Sequence, residues 1–222
     1  MFSERTARWE AGRYRRRGLD ATSKRIVGFL KRRGVEGRTV LEVGGGIGAV
    51  QIELLKAGAA HATSIELAPT YEEVAGELLR EHGLEDRVDR RVLDFATGGE
   101  AVEPADIVIM NRVVCCYPDM PRLAGAGADH TRELMVLSFP RGSWWVRLAL
   151  AFANLAFRLT RREFTIFVHP PAQILTTSES RGLRTVLVER GLLWTVAAMA
   201  RPAPGEPRGQ RVSEIASPNA KP

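Results

Sequence analysis

Thr39-Val40-Leu41-Glu42-Val43-Gly44-Gly45-Gly46-Ile47-Gly48-Ala49 is the stretch that decides the fold. Its first five residues make a short apolar run, which reads as a buried strand. Glycines then stand at alternate positions, Gly44, Gly46 and Gly48, and a helical pattern follows over 49–57 until Gly58 stops it. Glycine in a strand-to-helix turn lets the backbone bend sharply and approach a ligand with no Cβ in the way. In an open α/β sheet, such a turn at the carboxyl end of a strand is where ligands bind.

Outward from this loop, strand and helix patterns alternate. Asp20 or Thr22 caps a helix carrying Ile26, Val27, Phe29 and Leu30, closed by Gly34. Further strands are expected at 62–66, 88–94, 106–110 and 133–139, with a helix over 71–82 opened by Pro69 and ended by Gly83. Alternation of this kind means a parallel sheet with helices on both faces. The end differs. Two strand-like runs, 184–189 and 193–200, are separated only by Arg190-Gly191-Leu192. That gap permits a hairpin and forbids a helical crossover. The expected fold is therefore α/β: a Rossmann-like seven-stranded sheet, mostly parallel, with a C-terminal antiparallel hairpin and helices on both faces.

Three carboxylates, Glu42, Glu66 and Asp94, stand at the ends of three successive predicted strands. Glu66 lies 18 residues beyond Gly48, an offset at which an acid can accept hydrogen bonds from ribose hydroxyls. The glycine loop also satisfies the GxGxxA pattern of NAD sites through Ala49. Two features oppose NAD: the acid at Glu42, and a hairpin where a second mononucleotide-binding half would have to be.

Residue by residue, Glu42-x-Gly44-x-Gly46-x-Gly48 resembles the first motif of class I S-adenosylmethionine-dependent methyltransferases. In that family an acid precedes the first of several alternating glycines by two residues. The resemblance implies S-adenosyl-L-methionine as cofactor. Gly44, Gly46 and Gly48 would hold its methionine part, with Glu42 fixing the loop and the amino acid end. Glu66 would take the ribose. Asp94 would accept from the adenine amino group, with Phe95 against the ring. Asn111, just after the fourth strand, would bond the cofactor's amino group or orient an acceptor.

The acceptor side follows the fourth strand. Arg112 is a candidate partner for an acceptor carboxylate. Tyr117-Pro118, Ser138-Phe139 and an apolar insertion ending in Phe167-Val168-His169-Pro170 resemble, loosely, the magnesium-protoporphyrin O-methyltransferase subgroup. The chain departs from it at Cys116, where the subgroup commonly has a His before Tyr-Pro. A hydroxyl or amine acceptor needs a proton removed, and His169 and Tyr14 are the candidate catalytic bases. The insertion, at about 141–170, carries Trp144 and Trp145 and flanking arginines. It suits a lid over a flat or apolar anionic acceptor, with Tyr117, Trp144 and Trp145 as binding residues. Trp and Arg also favour lipid interfaces, so a peripheral membrane contact is the other use for it. No metal site is expected.

The bulk numbers bound these readings. The 222 residues suit one domain with decoration. The net charge of +6 is uneven: residues 1–37 hold 11 Lys/Arg against 4 Asp/Glu, 38–140 hold 9 against 17, and 141–222 hold 12 against 5. A flexible basic arm is expected over 1–19, the methyltransferase domain over 20–202, and a disordered tail over 203–222. Cys115 and Cys116 are adjacent, which implies no disulfide framework and fits a cytoplasmic location. The expected activity is methylation of a small, largely apolar molecule, at oxygen. The alternative is an RNA- or protein-directed methyltransferase guided by the basic arm. Nucleic acid is the less favoured partner, because no Asn/Asp-Pro-Pro-Tyr type motif follows the fourth strand.

Overall fold

The computed structural model describes residues 3–160 and 165–203. Seven strands form one sheet in the order β3-β2-β1-β4-β5-β7-β6: β1 Thr39–Val43, β2 His61–Glu66, β3 Val88–Val92, β4 Ala105–Asn111, β5 Thr131–Pro140, β6 Arg184–Arg190 and β7 Trp194–Ala200. Strands β1 to β5 pair in parallel, while β7 runs antiparallel to both β5 and β6. The expected mostly parallel sheet with a closing hairpin is what the chain forms. The helices are α1 Glu4–Arg17, α2 Ala21–Arg33, α3 Ala49–Lys56, α4 Glu72–His82, α5 Phe95–Gly98, α6 Met120–Asp129, α7 Trp144–Leu159 and α8 Pro171–Glu179.

Side chains alternate across each strand, so the central strands feed two cores. From β4, Ile107 and Ile109 enter one core with Ile26 and Leu30 of α2, Leu54 of α3 and Leu78 of α4. Val108 and Met110 enter the other, with Leu123 of α6, Ile174 of α8 and Phe139 of β5. Both faces of β4 are thus covered, which explains its nearly continuous apolar run. The strand order reverses direction between β1 and β4, and the crevice at that switch point opens at the carboxyl ends of the strands.

The N-terminal segment departs from the expectation of a flexible arm. Glu4–Arg17 is a helix, capped by the Ser3 hydroxyl. Ala7, Ala11 and Tyr14, spaced four and three apart, bury one face in the core beside α4. Its arginines are tied down: Arg8 pairs with Glu4, Glu73 and Glu77, and Arg15 with Glu77 and Glu81. Each pair is exposed and individually weak, but together they lock the basic face of α1 onto the acidic face of α4. The expected tail lies outside the described residues except for Ala203. Among the described residues, no helix is long and apolar enough to cross a membrane.

Candidate cofactor and acceptor site

The glycine loop is held from three sides. Gly44 N–H donates to Ile65 O of β2 at 2.7 Å, which sets the loop against the end of the neighbouring strand. Gly44 has φ 67°, and a Cβ there would collide with Val113, so this position accepts glycine alone. Gly46 N–H donates to Glu66 Oε2 at 2.9 Å. Beneath the loop, the nearly buried Arg90 of β3 donates to Gly46 O at 3.2 Å, to Ser64 Oγ at 3.1 Å and, bidentate, to Glu72 of α4. Arg90 escapes a sequence reading because Asp89-Arg90-Arg91 looks like an exposed edge strand.

Glu42 sits behind the loop, fully within the protein. It accepts Gln51 N–H at 3.2 Å. Burial pushes its pKa up to about 8, against the pull of the Gln51 N–H and of Arg90. Its position is that of a loop anchor, and it does not line the cleft.

The cleft in front of the loop is lined by Gly44, Glu66, Leu67, Leu93, Asp94, Phe95, Arg112, Val113, Cys116 and Tyr117, among others. Glu66 and Asp94 thus meet in one cleft with the loop. The Glu66 carboxylate accepts from the N–H groups of Gly46, Leu67 and Ala68. A carboxylate offers about four acceptor positions, so one remains for a ligand hydroxyl. Asp94 accepts Ala96 N–H at 3.0 Å through Oδ1, capping α5, and the Tyr117 hydroxyl at 2.9 Å through Oδ2. Leu67, 60% exposed, gives this end an apolar wall beside Leu93 and Phe95 that fits a planar ring. A second, larger cavity of about 820 Å³ lies between α8 and the β6–β7 hairpin. It contains none of the three carboxylates, so the smaller cleft is the candidate site.

At the other end of the cleft, Arg112 follows β4 with φ 62°, a conformation L-residues adopt at a cost. Its N–H donates to Ser138 Oγ at 2.9 Å, its guanidinium donates to Asp20 Oδ1 at 2.5 Å, and it lies over the Trp194 ring at 5.0 Å. Asp20 also caps α2 through the N–H groups of Thr22 and Ser23. Burial raises the Asp20 pKa, but Arg112 and these donors outweigh it and hold the carboxyl below its ordinary value.

Other expected site residues fall elsewhere. Asn111 does not line the cleft. Its Nδ2 donates to Ser23 Oγ at 3.1 Å and its Oδ1 accepts from Ser138 Oγ at 2.7 Å, so its carboxamide braces α2, β4 and β5 behind Arg112. Tyr14 also lies away from the cleft: its hydroxyl donates to Glu53 of α3 at 2.7 Å and its ring stands in the core. Burial and Glu53 raise its pKa, which opposes a role as base. Trp144 points outward, 76% exposed, and Trp145 is half-buried; neither lines the cleft.

His169 does not line the cleft but bonds to Tyr117, which does. Its Nε2 lies 3.0 Å from Tyr117 O. A carbonyl only accepts, so in the neutral ring Nε2 carries the hydrogen and Nδ1 keeps its lone pair. Phe167 N–H donates to Cys115 O at 2.7 Å, so the chain after α7 returns to the cleft along the Cys115–Tyr117 turn. In that turn the Cys115 and Cys116 sulfurs stand 3.8 Å apart. Their mutual hydrogen bond, with burial, raises the Cys115 pKa; the same bond lowers that of Cys116. A further residue was hidden in the N-terminal segment. Glu10 of α1 accepts from the Tyr71 hydroxyl, and burial lifts its pKa despite that bond and the nearby Arg13 and Arg112.

No family model matches the chain, and no curated protein matches it. Solved structures do. The magnesium protoporphyrin IX methyltransferase of Synechocystis PCC 6803, crystallised with S-adenosylhomocysteine, superposes with TM-score 0.67 at 19% identity over 82% of each chain. An O-methyltransferase family protein from Burkholderia thailandensis gives TM-score 0.67 at 20% identity, over 83% of this chain and 57% of its own. An O-methyltransferase family 2 protein from Planctomyces limnophilus, in complex with apigenin, gives 0.66 at 17% identity, over 90% of this chain and 62% of its own. The chain has the fold of the S-adenosylmethionine-dependent methyltransferases.

Proposed function

We propose that this protein is an S-adenosylmethionine-dependent methyltransferase acting at oxygen on a small, largely apolar acceptor. The observation that carries the reading is the convergence of the glycine loop, Glu66 and Asp94 on one cleft, with Arg112 and Tyr117 closing it. A fold alone does not assign an activity; side chains suited to the cofactor's several parts do. Glu66, held by three backbone donors, keeps an acceptor position for a ribose hydroxyl. Asp94 and the Leu67–Leu93–Phe95 wall suit the adenine edge and face. Gly44 and Gly46 bring backbone close to the amino acid part, while Glu42 and Arg90 hold the loop from behind.

Bound S-adenosylmethionine would supply an electrophilic methyl group on sulfur. The remaining work is alignment and exclusion of water. Arg112, anchored by Asp20, orients an acceptor bearing a carboxylate or other anionic group. For a hydroxyl acceptor the proton has to go to a side chain near the rim. His169, with Nδ1 as acceptor, serves that role; a carboxylate acceptor needs no base.

Titration calorimetry with S-adenosylmethionine and S-adenosylhomocysteine tests the reading. Micromolar affinity, about 8 kcal/mol, is expected. The alternative of an RNA- or protein-directed enzyme rests on a basic arm that is folded onto α4 through Arg8 and Arg15; the small-molecule reading is the better supported.

A further inference from the structure

Helix α7 buries a single residue, Val146. Trp144, Leu148, Phe152, Leu155 and Leu159 are 76%, 50%, 63%, 51% and 77% exposed. At about 100° per residue these five fall within an arc of about 80°, so they form one continuous apolar stripe along the outside of the helix. Soluble surfaces rarely leave such a stripe bare without a partner. Arg147 and Arg158 are exposed and lie together along one flank of it. Helix α7 itself holds no Asp or Glu, and the sequence around it carries Arg141, Arg161 and Arg162 with Glu163 as the one neighbouring acid.

A second element extends the same surface. Leu192 and Leu193, in the turn between β6 and β7, are 76% and 48% exposed. Arg141 N–H donates to Leu193 O at 2.8 Å, which fixes this turn beside the start of α7. Both lie at the carboxyl end of β5, where Pro140 pairs with Trp194, the end of the sheet at which the cleft opens. The helix is tied to the following segment by Asn154, whose side chain both donates to and accepts from the Ile166 backbone at 2.8 Å. From there the chain reaches the Cys115–Tyr117 turn through Phe167 and His169.

We propose that α7 and the 191–193 turn form a docking surface for an anionic lipid bilayer, with α7 lying in the interface plane. The charge pattern chooses this occupant. An apolar stripe bordered only by arginines matches acyl chains beneath negatively charged headgroups. A second copy of the same helix would bring a segment with no carboxylate against another of the same kind, leaving the arginines without counter-charge. The helix is too short to cross the bilayer at about 1.5 Å per residue, so contact is peripheral. The surface stands whether or not the cleft binds S-adenosylmethionine.

Sedimentation with sucrose-loaded vesicles tests it, using the full chain. Vesicles of phosphatidylcholine with about 30% phosphatidylglycerol should bind at least tenfold better than pure phosphatidylcholine, and added salt should weaken the binding. Phe152→Glu with Leu155→Glu should abolish it with an unchanged melting curve, because both positions are exposed. Trp144 emission should shift to the blue on binding, and Trp144→Phe should remove that shift. Absence of binding to the anionic vesicles, or equal binding by the double variant, would overturn the proposal. So would a lipid-free dimer in sedimentation velocity that the double variant dissociates, since the stripe would then be an interface between copies.

Discussion

The Tyr117 hydroxyl donates to Asp94 Oδ2 at 2.9 Å, joining the turn after β4 to the end of β3 across the cleft. The sequence assigns Tyr117 to the acceptor and Asp94 to the adenine. The bond puts both at one end of the cleft and makes Tyr117 a brace for the carboxylate, while Arg112 stands at the other end, paired with Asp20. Tyr117→Phe should weaken S-adenosylhomocysteine binding by roughly 3- to 10-fold, the scale of one ordinary hydrogen bond. Calorimetry on the variant checks this, and unchanged affinity would remove the brace from the account.

Glu42 titrates abnormally, and the consequence has a definite sign. Its folded pKa, about 8, lies above the ordinary 4.5. Stability from keeping this carboxyl neutral is complete below pH 4.5 and is lost as pH rises toward 8, by up to about 1.4 kcal/mol per pH unit. Glu42→Gln keeps an acceptor for Gln51 N–H and removes the titration. Urea midpoints of the ligand-free wild type should therefore fall relative to Glu42→Gln between pH 5 and 8; parallel profiles would contradict the burial argument.

Arg112 combines a left-handed backbone with an ion pair to Asp20. Arg112→Ala loses the pair and keeps the strain, whereas Arg112→Gly loses the pair and relieves the strain. The glycine variant should be the more stable of the two by about 1 kcal/mol. The Asp20 carboxyl, held below its ordinary pKa, contributes stability above that ordinary value and loses it as pH falls through the folded pKa. Either replacement of Arg112 should blunt that acid-side loss. Denaturant titrations at pH 7 and pH 3 test both points, and an alanine variant as stable as the glycine one would refute the strain.

Deletion of residues 1–19 discriminates a folded helix from a free arm. Ala7, Ala11 and Tyr14 are buried, and Tyr14 bonds Glu53. The truncated chain should melt several degrees lower, a loss of a few kcal/mol. An unchanged melting curve would mean that α1 is dispensable to the fold.

The loop from β1 to α3 was legible because hydrophobic periodicity switches there from a continuous run to a helical repeat, with glycines marking the switch. The strand-end position of Glu66 was legible in the same way, as an acid closing a mostly apolar run; that of Asp94 rested on the family resemblance, since Asp89-Arg90-Arg91 interrupts any apolar run before it. Helix α1 was not, since its buried stripe is two alanines and a tyrosine among arginines, too weakly apolar to stand out. Helix α6 was hidden by Pro121, Gly125 and Gly127, although Met120, Leu123, Ala124 and Ala128 keep helical spacing. Asn111 was misread because nothing local tells that Ser23, far back in the chain, and Ser138 take up its carboxamide. Arg90 and Glu10 depend on contacts that only the folded chain creates.

Glu66 is the most direct test of the whole account. Wild-type protein should bind S-adenosylhomocysteine with a micromolar Kd by titration calorimetry. Glu66→Gln, which keeps one acceptor for the backbone donors and loses the charge, should bind at least tenfold more weakly while retaining its circular dichroism spectrum. Absence of binding by the wild type, or equal affinity in the folded variant, would contradict the claim that this cleft holds the cofactor through Glu66.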